Sequence, residues 1–297
     1  MNRDKKIALA NSLNRRNLLN WMPDKMYIKM LYKVRMGRKL NLNNPQTFNE
    51  KLQWLKLYDR KPEYTTMVDK AAVKDYVAEK IGSEYIIPTL GVWEHFDDID
   101  FDQLPNQFVL KCNHDSGGLV ICKDKASLDM DAAREKIESS LKRSFYYHSR
   151  EWPYKNVKPR IIAEKYMVDE SGTELKDYKF YCFAGKAEAV MINSDRNADE
   201  PTKADYFDRD YNWLDFTWGY SHAPVPPRKP EKFDEMIRIA ELLSNGLPHA
   251  RIDLYSCNGQ IYFGEITFFD GSGFDAITPV EWDYKLGSMI TLPDKTI

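Results

Sequence analysis

The chain has 297 residues, of which 43% are hydrophobic, 30% charged and 13% aromatic, and its formal net charge is −2 at pH 7. This composition is typical of a folded protein of about two domains; it excludes a largely disordered chain and argues against a nucleic-acid-binding protein. No apolar run approaches the roughly 18 residues that a membrane-spanning helix needs, and the polar N-terminus lacks the apolar core of a signal peptide, so we expect a cytoplasmic protein.

Residues 1–64 have the pattern of packed helices. Apolar residues recur at helical spacing after Pro23, and Gly37 fits the end of that helix. Thr47 followed three residues later by Glu50 is the pattern of a capping box, which predicts a second helix start. The region is rich in lysine and arginine. This favours a solvated helix face, with a contact to anionic lipid or a lipid-linked glycan at the inner membrane face as the alternative.

Helices are expected next over residues 68–81, ended by Gly82, and over residues 128–147. Patterning also predicts a strand at residues 160–165 and an irregular aromatic-rich segment at residues 204–218. Two further helices are predicted at residues 230–245 and 279–290.

A polar loop with two adjacent glycines, Gly117 and Gly118, spans residues 111–118 between a predicted strand that begins at residues 108–110 and another at residues 119–122. Backbone N–H groups of such a loop can bind phosphate, and Lys111 adds a positive charge where the loop begins. The loop is not a P-loop, because no Gly-Lys-Ser/Thr sequence follows it. A plain hairpin turn is the alternative interpretation.

Two hairpins are predicted in the second half of the chain. Residues 177–193 contain the first, with Asp177 and Lys179 on the same face of its first strand. The second begins at residue 251 and turns at Asn258-Gly259, a dipeptide that favours a tight turn because both of its residues accept positive φ.

The second hairpin carries a group of polar side chains that strand alternation brings together. Arg251 and Asp253 project from one face of its first strand, and Glu265 and Thr267 project from one face of its second. The two carboxylates repel each other unless a cation or a proton lies between them, and Mg²⁺ prefers such hard oxygen ligands. A solvated face with one salt bridge from Arg251 to Glu265 is the alternative.

Several short motifs, taken in order, give the chain a specific resemblance. They are Pro45-Gln46-Thr47-Phe48-Asn49-Glu50-Lys51-Leu52-Gln53-Trp54, Val68-Asp69-Lys70, Phe108-Val109-Leu110-Lys111, Asp177-Tyr178-Lys179-Phe180 and Gly264-Glu265-Ile266-Thr267-Phe268. The sequence resembles ATP-grasp proteins, and more closely their teichuronopeptide-biosynthesis (TupA-like) branch. The resemblance implies an α+β fold with an N-terminal helical region at residues 1–64 and an ATP-grasp domain at 65–297. Its smaller lobe would span residues 65–165 and its C-terminal lobe 166–297, with ATP gripped between them.

The resemblance also implies which residues form the site. Arg251 and Lys179 would neutralise charge around the transferred phosphoryl group. Mg²⁺ would be held by Asp253, Glu265 and Thr267, where Thr267 stands in the position at which the superfamily commonly has Asn. The residues implied for ATP are Lys70 and Lys111 at the phosphates, the loop residues His114, Ser116, Gly117 and Gly118, the hinge residues Glu164, Lys165, Tyr166 and Met167, and Asp177.

The implied activity is that of an ATP- and Mg²⁺-dependent carboxylate–amine ligase that works through an acyl phosphate. Its products would be amides between an amino acid or another amine and a uronic acid or peptidyl group, during assembly of a cell-surface polysaccharide such as a capsule. A phosphotransferase acting on a sugar hydroxyl is the first alternative. A glycosyltransferase-associated assembly protein is the second.

Overall fold

The computed structural model of the chain describes residues 2–169, 175–194 and 202–296. Its α-helices are α1 Arg3–Arg15, α2 Asp24–Met36, α3 Phe48–Tyr58, α4 Glu63–Val68, α5 Val73–Ile81, α6 Met130–Leu141, α7 Phe145–Ser149, α8 Phe233–Ser244 and α9 Val280–Met289. Its strands are β1 Thr89–Trp93, β2 Phe108–Cys112, β3 Leu119–Cys122, β4 Ile161–Lys165, β5 Asp177–Phe183, β6 Lys186–Ser194, β7 Lys203–Asp208, β8 Thr217–Trp218, β9 His249–Cys257, β10 Gln260–Thr267 and β11 Ile277–Thr278.

Two antiparallel sheets dominate the described residues. The first has the strand order β1-β4-β2-β3, and the second has the order β10-β9-β5-β6-β7. Helix α6 packs on the first sheet and α8 packs on the second. Helices on antiparallel sheets make an α+β fold, as the sequence predicts.

The hydrophobic core is divided in the same way. A smaller cluster contains Phe108, Leu110 and Ile161 of the first sheet together with Ile137 of α6. A larger cluster joins the second sheet, α8 and α9 to the N-terminal helices. Val73 and Val77 of α5 belong to this larger cluster, although α5 precedes the first sheet in the chain. The boundaries predicted for the lobes stay a prediction.

The N-terminal helices pack against the body of the protein through apolar side chains. Tyr27, Ile28, Leu31 and Tyr32 of α2 are buried, whereas the lysines of this helix are exposed. A solvated basic face therefore describes α2, the interpretation that the sequence favours. Within the described residues, no helix has both the length and the apolar character needed to cross a bilayer.

Local signals in the sequence are confirmed where they depend on near neighbours. Thr47 and Glu50 form both hydrogen bonds of a capping box at the start of α3. Gly37 ends α2 in the left-handed conformation. The turn between β9 and β10 has positive φ at Asn258 (51°) and Gly259 (73°), as a type I′ hairpin requires.

Two predicted helices are wrong in their continuity. The helix expected over residues 68–81 is interrupted, because the Asp69 carboxylate accepts hydrogen bonds from the backbone N–H groups of Ala71 and Ala72. Such a bond competes with the helical pattern, so α4 ends before Asp69 and α5 begins at Val73. The helix expected over residues 128–147 is divided into α6 and α7, and the Arg143 carbonyl between them lies 3.1 Å from His114 Nε2. The segment at 204–218 is more regular than expected, since it contains most of β7 and all of β8.

A buried histidine in β9 gives the fold a pH dependence. His249 packs edge-on against Phe48, with ring centroids 5.0 Å apart, and its Nδ1 lies 2.9 Å from the Cys182 carbonyl oxygen. Burial lowers the pKa of His249 to about 4. Since an unfolded histidine has a pKa near 6.5, only the unfolded chain takes up this proton as the pH falls from about 6.5 toward 4. The stabilisation is therefore complete above pH 6.5 and is lost toward pH 4.

We expect the free energy of unfolding of the native chain, measured by urea titration, to fall by up to about 1.4 kcal/mol per pH unit in this window because of His249. His249→Gln should remove that component of the slope, whereas the exposed control His95→Gln should keep it. An unchanged slope in His249→Gln would contradict the assignment.

Candidate active site

Arg251 is the centre of a buried charge cluster on the β9–β10 hairpin. Its Nε and Nη2 donate to the two carboxylate oxygens of Asp253 at 2.7 and 2.8 Å, and Nη2 also lies 2.8 Å from Glu265 Oε1. Nη1 contacts the Asp270 carboxylate. A guanidinium group therefore lies between the two predicted carboxylates. The salt bridge from Arg251 to Glu265 that the sequence offered as the alternative is present, but it belongs to a buried cluster and not to a solvated face.

Lys179 supplies a second cation to this cluster from the adjacent strand β5. Its Nζ lies 2.6 Å from a carboxylate oxygen of Asp177 and 2.6 Å from one of Asp253. Burial alone would lower the pKa of Lys179, but Asp253 and Asp177 beside it raise the pKa, so the ammonium group stays charged. Both oxygens of Asp253 are consequently held by protein cations.

Glu265 is the accessible carboxylate of the cluster. Its side chain is 36% exposed, whereas that of Asp253 is 3% exposed. Thr267 Oγ1 donates to Glu265 Oε1 at 3.0 Å, and Lys70 Nζ lies 3.9 Å from Oε2. Burial would raise the pKa of Glu265, but Lys70, Arg251 and Lys179 lower it to about 2, so this carboxylate is ionised at neutral pH.

The strand register explains why these groups meet. Glu265 pairs directly with Asp253, and Thr267 pairs with Arg251, after an irregularity between Phe263 and Glu265. Gly264 occupies this irregularity, and a Cβ atom there would lie 3.0 Å from the Asp253 carbonyl oxygen. A side chain at this position would therefore require the backbone of Asp253 or the ring of Tyr255 to shift by a few tenths of an ångström.

A second group of charges lies in the cleft between the two sheets. Glu164 of β4 accepts from Lys111 Nζ of β2 at 2.5 Å and from Lys74 Nζ of α5 at 2.7 Å. Burial would raise the pKa of Glu164, but these two lysines lower it. The cleft is lined by Lys70, Lys74, Ile86, Ile87, Lys111, Glu164, Phe263 and Gly264, so it has apolar walls and charged groups.

Lys70 connects the cleft to the Arg251 cluster. It lies in the turn between α4 and α5, and its Nζ donates to the Asp115 carbonyl oxygen at 2.8 Å. The same ammonium group lies 3.9 Å from Glu265. A lysine beside the first sheet thus faces a carboxylate of the second, an arrangement suited to an anionic ligand bound together with a metal ion.

The glycine-containing loop is held in place by a residue of its own. Asp115 Oδ1 accepts from the backbone N–H groups of Gly117 and Gly118 at 3.2 and 3.0 Å, and its other oxygen contacts Arg143 and Ser140. The N–H groups predicted to bind phosphate therefore already bind a carboxylate. A phosphate group would have to replace Asp115 there, and Ser116 and Gly117 are exposed on the outer side of this turn.

The predicted hinge follows β4 along the chain. The Lys165 N–H donates to the Pro88 carbonyl oxygen at 3.0 Å, which ties the end of β4 to the residues before β1. Tyr166 and Met167 are partly buried, and the Val168 carbonyl oxygen lies 2.8 Å from Cys257 Sγ at the end of β9. The segment thus runs from the first sheet to the second.

Sequence reasoning missed three residues of the site: Lys74, Asp115 and Asp270. Lys74 lies four positions after Lys70 within the helix that the sequence predicts at residues 68–81, and this spacing would have placed both lysines on one face. Asp270 follows Thr267 closely in the hairpin segment. No local pattern distinguishes Asp115 from any other loop aspartate.

The oxygen-bearing side chains of the hairpin cluster are chemically suited to a divalent ion, and Glu265 is the most exposed carboxylate among them. Carboxylate and hydroxyl oxygens are the ligands that Mg²⁺ accepts, and Glu265 with Thr267 supplies both. Among the described residues, no group of three or more His, Cys, Asp or Glu side chains is already arranged around a metal position. Within the described part of the chain, Asp253 Oδ1 accepts one hydrogen bond, from Arg251, whereas Oδ2 accepts from both Lys179 and Arg251, so Oδ1 is the oxygen that Asp253 could add. The metal role of Asp253, Glu265 and Thr267 therefore stays a prediction.

Two antiparallel sheets, with a cleft of lysines and carboxylates between them, are the arrangement expected of an ATP-grasp protein. The model of one family within that class, the TupA-like ATP-grasp proteins, matches residues 50–291. The chain belongs to this family. No curated protein sequence matches it significantly.

Solved structures of ligases are similar to the chain at low sequence identity. D-alanine–D-alanine ligase from Bacillus anthracis, complexed with ATP, is 15% identical (TM-score 0.41, covering 68% of this chain and 54% of that one). The enzyme of the same name from Helicobacter pylori is 14% identical (TM-score 0.45, covering 82% and 69%). L-amino acid ligase from Bacillus licheniformis is 13% identical (TM-score 0.44, covering 90% and 56%). The chain thus spans only about half the length of the first and third of these proteins. Its fold is assigned from the family match and from the two sheets of the chain itself.

Proposed function

We propose that the chain is an ATP- and Mg²⁺-dependent carboxylate–amine ligase. The observation that carries the proposal is the position of Lys70. Its Nζ lies between the glycine-containing loop, where it donates to the Asp115 carbonyl oxygen at 2.8 Å, and Glu265, whose Oε2 is 3.9 Å away. Lys111 and Lys74 extend the positive charge into the cleft. A triphosphate needs this combination of cations and a metal-binding carboxylate.

Ligation explains why the site contains charges and needs no nucleophile. An amine cannot displace oxide from a carboxylate, but it can displace phosphate once the γ-phosphoryl group of ATP has been transferred to that carboxylate. Catalysis of phosphoryl transfer is mainly positioning and charge neutralisation, which Arg251, Lys179 and Lys70 would provide. The family is named for this nucleotide-gripping fold, which supports the proposal.

In this proposal, the residues of the cleft divide between two parts of ATP. Lys111 and Lys70 bind phosphate oxygens, and the N–H groups of Gly117 and Gly118 bind phosphate in place of Asp115. Glu164, Tyr166 and Met167 line the adenine end, where Ile86 and Phe263 supply apolar surface. Mg²⁺ held by Glu265, with Thr267 and Asp253, would neutralise charge on the phosphates.

The substrate is proposed from the family alone. The TupA-like branch suggests amide formation between an amine and a uronic acid or peptidyl group of a cell-surface polysaccharide. The exposed lysines of α2 are compatible with action near an anionic carrier at the inner face of the membrane.

Coupled product formation tests the proposal. With ATP and Mg²⁺, we expect ADP release only when an amine and a carboxylic acid are both present, with an amide detected by mass spectrometry. Panels of amino acids and uronic acids provide the substrates. ADP release without an amine, accompanied by a stable sugar phosphate, would instead identify a kinase. Failure to bind ATP would leave an assembly protein as the remaining alternative.

The same preparation tests the nucleotide site through Lys111. ATP at 100 times its Kd should stabilise the native chain by about 2.7 kcal/mol, which raises its melting temperature. In Lys111→Met we expect Kd for ATP to rise about 10- to 100-fold, because a charge-assisted hydrogen bond is lost. Lys123→Met, an exposed lysine beyond β3, is the matched control. An unchanged ATP-induced shift in Lys111→Met would exclude Lys111 from the site.

A further inference from the structure

A separate cavity lies where α2, α7 and the loop at residues 270–275 meet. It has a volume of about 210 Å³. This is smaller than the roughly 300–1,000 Å³ typical of sites for drug-sized ligands, so its occupant would have few non-hydrogen atoms. Leu31 and Phe274 form its apolar walls, and its polar residues are Arg35, His148, Ser149, Ser272 and Asp275.

Asp275 is a partly buried carboxylate that lacks a partner. Within the described residues, its carboxylate oxygens accept no hydrogen bond and lie within ion-pair distance of no cation. Burial raises the pKa of Asp275 and Arg35 opposes this shift, so the two groups are close enough to interact. A carboxylate that is partly withdrawn from water and has no ion pair favours a cation, so Asp275 can bind a cationic ligand group.

Arg35 is the complementary group in the same cavity. Its Nη2 donates to Asn11 Oδ1 at 2.9 Å, but its Nε is buried without a hydrogen-bond partner among the described residues. No carboxylate of the described residues forms an ion pair with Arg35. The cavity thus holds one cation and one anion that interact at a distance and do not neutralise each other by contact.

The wall of the cavity is fixed and adjoins the charge cluster of the hairpin. The Ser272 carbonyl oxygen accepts from Lys56 Nζ at 2.7 Å and from Gln53 Nε2 at 3.0 Å, which holds Ser272 at a φ of 53°. Asp270, which contacts Arg251, is next to Gly271 in the chain. The loop that lines this cavity is therefore continuous in the chain with the residue that contacts Arg251.

We propose that this cavity binds the amine substrate as a small zwitterion, an amino acid whose carboxylate contacts Arg35 and whose ammonium group contacts Asp275. Burial and the nearby Arg35 lower the pKa of His148, so its neutral ring adds a hydrogen-bonding group without changing the charge balance. A simple amine would leave Arg35 unpaired, and a simple acid would leave Asp275 unpaired. The site therefore favours amino acids over both. The assignment rests on the proposed ligase function for its role, but not for its binding.

Calorimetric titration of the native chain tests the binding directly. We expect at least one of the twenty common L-amino acids to bind saturably in the presence of Mg²⁺ and a non-hydrolysable ATP analogue. The amine and the carboxylic acid that correspond to this amino acid should each bind at least about 10-fold more weakly. Arg35→Gln and Asp275→Asn should each weaken amino acid binding by at least about 10-fold, since each removes one charge-assisted contact.

Lys33→Gln, an exposed residue of the same helix as Arg35, should bind the amino acid as the native chain does. Affinity for the ATP analogue should be unchanged in all three variants, which also shows that they are folded. Amino acid binding that survives both cavity substitutions would overturn the proposal. The proposal would also be overturned if Asp275→Asn bound the carboxylic acid more tightly than the native chain binds the amino acid. If the amino acid binds but the ATP analogue does not, the ligase function fails and the cavity assignment stands.

Discussion

Glu265→Gln should lower Mg²⁺-dependent ATP turnover by about 10²–10³-fold while the protein remains folded. Glu265 is the most exposed carboxylate of the hairpin cluster, and Lys70, Arg251 and Lys179 keep its pKa near 2. The amide of glutamine has a similar shape but no charge, so it should bind Mg²⁺ more weakly than the carboxylate does. The ion would then no longer neutralise the charge of the phosphates. Initial rates of ADP release across a range of Mg²⁺ concentrations measure the effect.

Two controls make this result specific. Glu281→Gln changes an exposed glutamate of α9 and should leave turnover unchanged. Glu265→Gln without ligand should keep a cooperative unfolding transition, but its melting temperature should fall, because the charge that Lys70, Arg251 and Lys179 stabilise is removed. If Glu265→Gln turns over ATP at nearly the native rate, the metal assignment is wrong and the hairpin cluster is purely structural.

Arg251→Met should destabilise the protein by about 3–5 kcal/mol. The guanidinium group is 9% exposed and contacts Asp253, Glu265 and Asp270. Its removal leaves Asp253 with Lys179 and Glu265 with Lys70 at 3.9 Å, whereas Asp270 loses its ion pair. An uncompensated buried charge is among the costliest defects in a protein. Equilibrium unfolding in urea at pH 7.5 measures the loss. Since small domains are stable by only about 5–15 kcal/mol, the variant should be marginally folded.

The double variant Arg251→Met with Asp253→Asn separates electrostatics from packing. Neutralising Asp253 should recover part of the stability lost in Arg251→Met, giving a coupling energy of about 0.5–3 kcal/mol. Arg209→Met removes an exposed arginine that lies 3.5 Å from Glu241 and should change stability by no more than about 0.5 kcal/mol. A loss below about 1 kcal/mol for Arg251→Met would mean that water or conformational change relieves the buried charges.

The local features of the fold could be predicted because near neighbours determine them. The capping box of α3, the left-handed Gly37 and the turn at Asn258-Gly259 each depend on a few adjacent residues. The two interrupted helices show the limit of this reasoning. Asp69 and Arg143 end helical runs through contacts of their side chain or carbonyl group that an apolar pattern does not record.

The sequence predicted which residues carry the charges of the hairpin, but not how these residues contact one another. The sequence placed Arg251, Asp253, Glu265 and Thr267 on one side of a hairpin, and the strand register confirms this. It could not decide whether a metal ion or Arg251 lies between the carboxylates, because the alternation of a strand gives the face of a residue but not the direction of its side chain.

By itself, the sequence determined the family, the α+β class and the hairpin that carries the charges, since motif order and strand periodicity are properties of the chain. Only the tertiary structure decided that Lys74 and Lys111 both form ion pairs with Glu164. It also decided that the Asp115 carboxylate accepts hydrogen bonds from the N–H groups of the glycine loop, and that Arg35 and Asp275 line one cavity. The physical reason is that these contacts join residues far apart in the chain. Their positions depend on how the sheets and helices pack together, and the packing is set by the burial of apolar surface distributed over the whole protein.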